Sequence, residues 1–96
     1  MNHQAKYKIL IVDDDVHVLE SMPDLLGDYY EVLLAESGEE AIRLAEQHPD
    51  IIAAVLDIKM APMDGLEVCR ALKVIIPDID VIFHTAYAGD YDEAEI

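Results

Sequence analysis

Asp57 closes an unbroken run of small and apolar residues, Ile51-Ile52-Ala53-Ala54-Val55-Leu56, and the pair Asp13-Asp14 closes another, Ile9-Leu10-Ile11-Val12. A carboxylate in such a place can serve as a cation ligand or as a nucleophile. If the two runs are neighbouring parallel strands, their carboxyl ends lie about 5 Å apart and three carboxylates crowd one crevice. Like charges that close disfavour joint ionisation. A hard divalent cation removes the conflict, and Mg2+ takes one or two carboxylates together with waters and phosphate oxygens. Taken alone, Asp13-Asp14-Asp15 reads equally as an acidic turn that caps a helix; Asp57 is what tips the balance. Thr85 follows a further apolar run, and its hydroxyl faces the same crevice if that strand lies beside the one ending in Asp57; on its own it is an ordinary turn or cap residue. Lys59, two residues beyond Asp57, can offer its backbone carbonyl to the cation, the simpler alternative being a solvated lysine.

These side chains need elements to hold them. Lys8 to Val12 reads as a first strand, and Asp15 can cap a helix over roughly Val16 to Asp28, with Val18, Leu19, Met22, Leu25 and Leu26 at helical spacing. Pro23 falls inside that helix, where it removes one backbone bond and bends it. Glu31 to Ala35 is a second strand. Ser37-Gly38-Glu39-Glu40 has the pattern of a capping box before a helix carrying Ala41, Ile42, Leu44 and Ala45, which His48-Pro49 stops. The continuous apolar run ending at Asp57 predicts a third strand buried on both faces, at the centre of a parallel sheet. Leu66, Cys69, Leu72, Lys73 and Ile76 predict a third helix after Asp64-Gly65, and Ile79 to His84 a fourth strand. Strict β-α alternation means a doubly wound parallel sheet with right-handed crossovers. Open sheets of this kind bind their ligands at the carboxyl ends of the strands, where Asp57 lies.

Composition narrows the function classes. The 96 residues carry a net charge of −15, so nothing here would neutralise a nucleic-acid backbone, whereas divalent cations and basic protein surfaces suit it. A single cysteine, Cys69, excludes an internal disulfide and suggests a reducing, cytoplasmic setting; it is expected in the core. No apolar run is long enough to span a membrane. His3, His17, His48 and His84 match no metal-ligand spacing and are not read as ligands. Tyr29 and Tyr30 are expected to pack at the end of the first helix, and the acidic stretch from Asp90 to Glu95 reads as a solvated helix start.

Four stretches together carry a family resemblance: Ile9-Leu10-Ile11-Val12-Asp13-Asp14-Asp15, Ser37-Gly38-Glu39-Glu40-Ala41, Leu56-Asp57-Ile58-Lys59-Met60 with Met63-Asp64-Gly65, and Thr85-Ala86. In this order, each at its strand end, they resemble the receiver domain of two-component response regulators and cover nearly the whole chain. The resemblance implies a flavodoxin-like (CheY-like) doubly wound α/β sheet with strand order 2-1-3-4. It implies that Asp57 accepts a phosphoryl group from a phosphohistidine of a sensor histidine kinase or phosphotransfer protein. Asp14, Asp57 and the Lys59 carbonyl are implied as Mg2+ ligands, Asp13 as acting on the metal through water, and Thr85 as the switch hydroxyl that alters the surface seen by a downstream output. Such a domain is a signalling module and not an enzyme.

Two departures stand out. The family has a proline directly after Met60, where this chain has Ala61 followed by Pro62. The family also continues through a fourth helix, a fifth strand and a fifth helix, and the fifth strand brings a lysine to the phosphoryl group; Lys6, Lys8, Lys59 and Lys73 lie in other elements. Residues 1–96 therefore read as an incomplete receiver domain ending at the start of the fourth helix, in a truncated form, a fragment or a genuine short form. The expected consequences are a bare apolar edge on the fourth strand and a partly uncovered sheet face beside the first helix, through either of which the chain would self-associate. An alternative reading follows: a receiver that has kept the fold as an interaction or dimerisation module without efficient phosphorylation. A phosphohydrolase or nucleotide-binding enzyme of the same build is disfavoured, because neither G-x-G-x-x-G nor G-x-x-x-x-G-K-[ST] occurs.

Overall fold

Lys-Ile-Leu-Ile-Val alternates its side chains between two faces of a sheet, and both faces of this strand find cover. In a computed structural model, which describes residues 6–84, the strand β1 (Tyr7–Val12) lies inside a four-stranded sheet of order β2-β1-β3-β4. The other strands are β2 (Tyr30–Ala35), β3 (Ile51–Asp57) and β4 (Asp80–His84), and the helices are α1 (Val16–Leu26), α2 (Gly38–Gln47) and α3 (Gly65–Ile75). Every strand pair is parallel. The strand order expected from the sequence is the one observed. The chain direction through the sheet reverses between β1 and β3, which opens a crevice at their carboxyl ends. Val12 pairs with Leu56 and Asp57 with His84, so the ends of β1, β3 and β4 are level.

Leu10 and Val12 point to one face with Ala54 and Leu56, and there α2 and α3 supply Ala41, Ala45, Val68 and Leu72, with Ile76 just past the end of α3. Ile9 and Ile11 point to the other face, where Leu19, Met22 and Leu26 of α1 cover them. Two-residue alternation thus splits one apolar run between two cores. Cys69 packs against the larger of them, as its sequence context suggests. The expectation that β3 is buried on both faces holds only in part. The register slips by one residue between Lys8 and Ile9, so Ile52 is an extra residue against β1 and is exposed. This is why Ile51 and Ala54, three apart, both face the larger core. On the α1 face Ala53 and Val55 are only partly buried.

Side chains close the helix starts. Asp15 accepts the amide of His17 at 2.9 Å. Ser37 accepts the amide of Glu40 at 3.1 Å, but the Glu40 carboxylate turns back to the amide of Glu36 and not to that of Ser37, so the box expected there is only half formed. The complete reciprocal box belongs to α3: Asp64 accepts from Glu67, and Glu67 accepts from Asp64. Leu66, expected on the apolar stripe, is exposed, because the buried line runs Gly65, Val68, Leu72 and Ile76. Tyr29 is likewise exposed, whereas Tyr30 opens β2 and packs beneath α1. The α3 box fixes the far end of the loop that leaves Asp57. Asp64→Ala should cost about 1 kcal/mol. In a domain of this size that is a melting point about 4–8 °C lower by circular dichroism, and an unchanged melt would remove the box from the account.

Candidate functional site

Asp13 leaves β1 directly after Val12, and its amide donates to the Ala35 carbonyl at 3.1 Å, carrying the β1–β2 ladder one residue further. Asp57 is the last residue of β3, and the amide of the next residue, Ile58, donates to the His84 carbonyl at 3.1 Å. The sheet itself therefore sets both positions. Asp13, Asp14 and Asp57 each bring a carboxylate oxygen within 4.8 Å of the other two. Asp13 and Asp57 are buried and Asp14 is exposed. The three carboxylates that the sequence sets at two strand ends are thus brought together.

Each buried carboxylate has one oxygen committed to backbone. Asp13 Oδ1 accepts the amide of Asp15 at 2.8 Å, and Asp57 Oδ1 accepts the amide of Lys59 at 3.1 Å. Such bonds to the second residue on restrict the side-chain torsions and use only one oxygen of each carboxylate. Lys59 lies in the loop immediately after Asp57, and Gly65 returns that loop to the sheet by donating to the Ile58 carbonyl at 3.0 Å. The Ala61–Pro62 peptide in this loop is cis. Thr85 lies outside the described residues, as does the acidic stretch from Asp90 to Glu95.

A fourth group, which the sequence reading set aside, stands at the cluster. His84 Nε2 lies 3.2 Å from Asp13 Oδ2. Its spacing to other ligand types carries no signal. What marks it is its place as the last residue of β4, level with Asp57.

Burial pushes the Asp13 carboxyl above its ordinary range, and the charges of Asp57 and Asp14 push the same way, against the Asp15 amide and His84. A carboxyl whose pKa is higher folded than unfolded makes the folded state lose stability as pH rises through that window. The ionised cluster is therefore strained without a counter-charge. In metal-free buffer at neutral pH, Asp13→Asn should raise the melting point by a few degrees, since the amide oxygen can still accept from Asp15. The gain should shrink as the pH falls toward 3.8, the ordinary carboxyl value. A lower melting point for the variant at neutral pH would contradict this.

Among the described residues no helix is long and apolar enough to cross a membrane. The family model described as the response regulator receiver domain matches residues 9–96. The response regulator MprA of Mycolicibacterium vanbaalenii is 46% identical over 81 residues, a match covering 82% of this chain and 34% of that protein. The chain thus spans about a third of the length of the curated relatives it matches. The crystal structure of a CheY-like receiver domain protein from Methanospirillum hungatei superposes with a TM-score of 0.80 at 33% identity, over 88% of this chain and 67% of that one. The CheX-CheY-BeF3-Mg2+ complex from Borrelia burgdorferi matches with a TM-score of 0.76 at 28% identity, over 85% of this chain and 63% of that one. With the sheet order, the crevice and the acidic cluster all in agreement, the chain belongs to the receiver domain family of the response regulators.

Proposed function

We propose that this chain accepts a phosphoryl group on Asp57 from a phosphohistidine of a sensor histidine kinase or a phosphotransfer protein, and passes the change to a downstream output. The observation that carries this reading is the convergence of Asp13, Asp14 and Asp57 at the strand ends. Asp57 is the nucleophile: its Oδ2 forms the new O–P bond while the P–N bond of the donor breaks and the imidazole leaves. The donor set is all oxygen, which fits Mg2+, with Asp14, Asp57 and the Lys59 carbonyl as direct ligands and Asp13 acting through water. When bound, the cation supplies charge neutralisation for the phosphoryl group and its loose transition state. Asp13 and Asp57, held by backbone bonds, keep the oxygens in place for in-line attack. Thr85 is the switch hydroxyl that follows the new phosphoryl oxygens and shifts the segment after β4. The chain acts on itself and turns over no separate substrate. A cytoplasmic setting fits a single cysteine, and its charge of −15 disfavours direct nucleic-acid binding. The Borrelia complex with BeF3 and Mg2+ supports the same assignment by likeness.

The test is incubation with acetyl phosphate and Mg2+ followed by intact mass measurement. One phosphoryl group per chain is expected, removable by hydroxylamine as an acyl phosphate is, and absent when Mg2+ is chelated. No uptake by folded, Mg2+-loaded protein would favour the second reading, an interaction module. That reading has its own support: among the described residues β4 lies at the edge of the sheet, with Ile82 56% and Phe83 38% exposed. Edges of this kind pair with other chains. On that basis sedimentation velocity should show a concentration-dependent shift to larger species, and a single monomeric boundary at all concentrations would overturn the self-association.

A further inference from the structure

We propose that His84 is a specificity-determining residue for the cation, adding an imidazole nitrogen beside Asp13 so that the site takes Co2+, Mn2+ or Zn2+ more tightly than carboxylates alone would. The proposal rests on reading the acidic cluster as a divalent-cation site.

The position of His84 is set by the sheet. It pairs with Asp57 across β3 and β4, and its carbonyl accepts the Ile58 amide at 3.1 Å, so its backbone is fixed by the same ladder that places the nucleophile. Asp13 has Oδ1 occupied by the Asp15 amide, and the oxygen that faces His84 is the other one, Oδ2, at 3.2 Å. That contact is within ion-pair distance but is not a hydrogen bond. Nε2 is buried and has no hydrogen-bond partner among the described residues. A buried ring nitrogen without a partner demands an explanation. Two donors on one ion at about 2.1 Å and a right angle lie about 3.0 Å apart, and on a tetrahedral ion about 3.4 Å. The separation of 3.2 Å between Nε2 and Oδ2 falls between those two values. An ion that takes the His84 nitrogen would therefore take Asp13 Oδ2 directly, whereas Asp13 acts on Mg2+ through water.

The chemistry of the two donors differs. Mg2+ prefers oxygen and gains little from a nitrogen, whereas imidazole suits first-row transition dications, whose affinities rise from Mn2+ toward Cu2+. The ligand form is the neutral ring, with its proton on Nδ1 and the Nε2 lone pair toward the ion. His84 therefore changes which ion wins and leaves Mg2+ binding nearly untouched.

The experiment titrates the full chain and His84→Phe, which keeps a planar ring and removes the nitrogen, with Mg2+ and separately with Co2+ by calorimetry. Removing one imidazole should weaken Co2+ binding about tenfold or more. Mg2+ affinity should stay within about twofold, because an oxygen-preferring ion loses little with the nitrogen. The visible spectrum of bound Co2+ should also shift between the two proteins. Equal loss for both ions, or no change for either, overturns the proposal while leaving the acidic site standing. A folded wild-type chain that binds neither ion overturns both readings. If His84→Phe does not fold, electron spin echo on the Mn2+-loaded wild type decides: imidazole-nitrogen modulation is expected, and its absence refutes the ligand.

Discussion

Asp57→Asn should take up no phosphoryl group from acetyl phosphate in the presence of Mg2+, under conditions that label the wild type. The amide has no ionised oxygen to attack phosphorus, so on the proposed assignment the loss is of the bond-forming atom and not of a supporting contact. The fold should survive. Oδ1 of the asparagine can accept the Lys59 amide as the carboxylate does at 3.1 Å, and the ladder from Ile58 to His84 runs through backbone alone. Removing one of three crowded charges should also leave the metal-free melting point equal to or above that of the wild type. Intact mass reads the first outcome and thermal denaturation the second. Residual labelling at the wild-type level would move the acceptor to another carboxylate, with Asp14, the exposed member of the cluster, the first to examine.

Gly65→Ala should destabilise the protein, against helix propensity. In an open helical position alanine is better than glycine by about 1 kcal/mol. Here a Cβ would stand 2.6 Å from the Asp57 carbonyl oxygen and 2.9 Å from Ile58 Cα. Both are main-chain atoms at the end of β3, so no side-chain rotation relieves the contact. Overpacking of this kind costs about 1–3 kcal/mol, and we expect a net loss of about 2 kcal/mol. That corresponds to a melting point about 8–16 °C lower for a domain of this size. Phosphoryl uptake should fall as well, since the displaced backbone carries Asp57, the proposed acceptor. Gly38→Ala provides the contrast. Its Cβ would meet the side chains of Val68 and Met63 at 2.8 and 2.9 Å, and the methionine can move aside. Its effect should be clearly smaller, and a Gly65→Ala variant that melts at or above the wild type would show that the loop after β3 is slack.

The features legible in the sequence are those that depend on local pattern. All four described strands and all three described helices follow from apolar runs, turn residues and the alternation of strand and helix, and the strand order from the family resemblance. Asp13, Asp14 and Asp57 are legible because each ends an apolar run, and parallel pairing then brings the ends together. The rest turns on contacts with no local signature. Ser37-x-x-Glu40 matches the capping pattern, yet the Glu40 carboxylate finds the Glu36 amide first. Asp64-Gly65 reads as a loop, although Asp64 is the better cap. Leu66 and Leu72 both fit a helical stripe until the sheet decides which line of side chains it covers. His84 is invisible for a different reason: its meeting with Asp13 depends on β4 lying beside β3, and on how far along β3 its last residue falls.

The extra residue in β3 settles which insertions and deletions the signalling centre tolerates. Everything after Ile52 is already in step with β1, from Ile9 against Ala53 to Val12 against Leu56. Losing Ile52 would straighten the strand and leave Asp57 where it is. Losing any one residue between Ala53 and Leu56 would rotate the acidic side chain to the opposite side of the sheet, among the apolar groups of α2 and α3. A single codon removed at one place is thus a trim, and a few positions later it breaks up the acidic cluster.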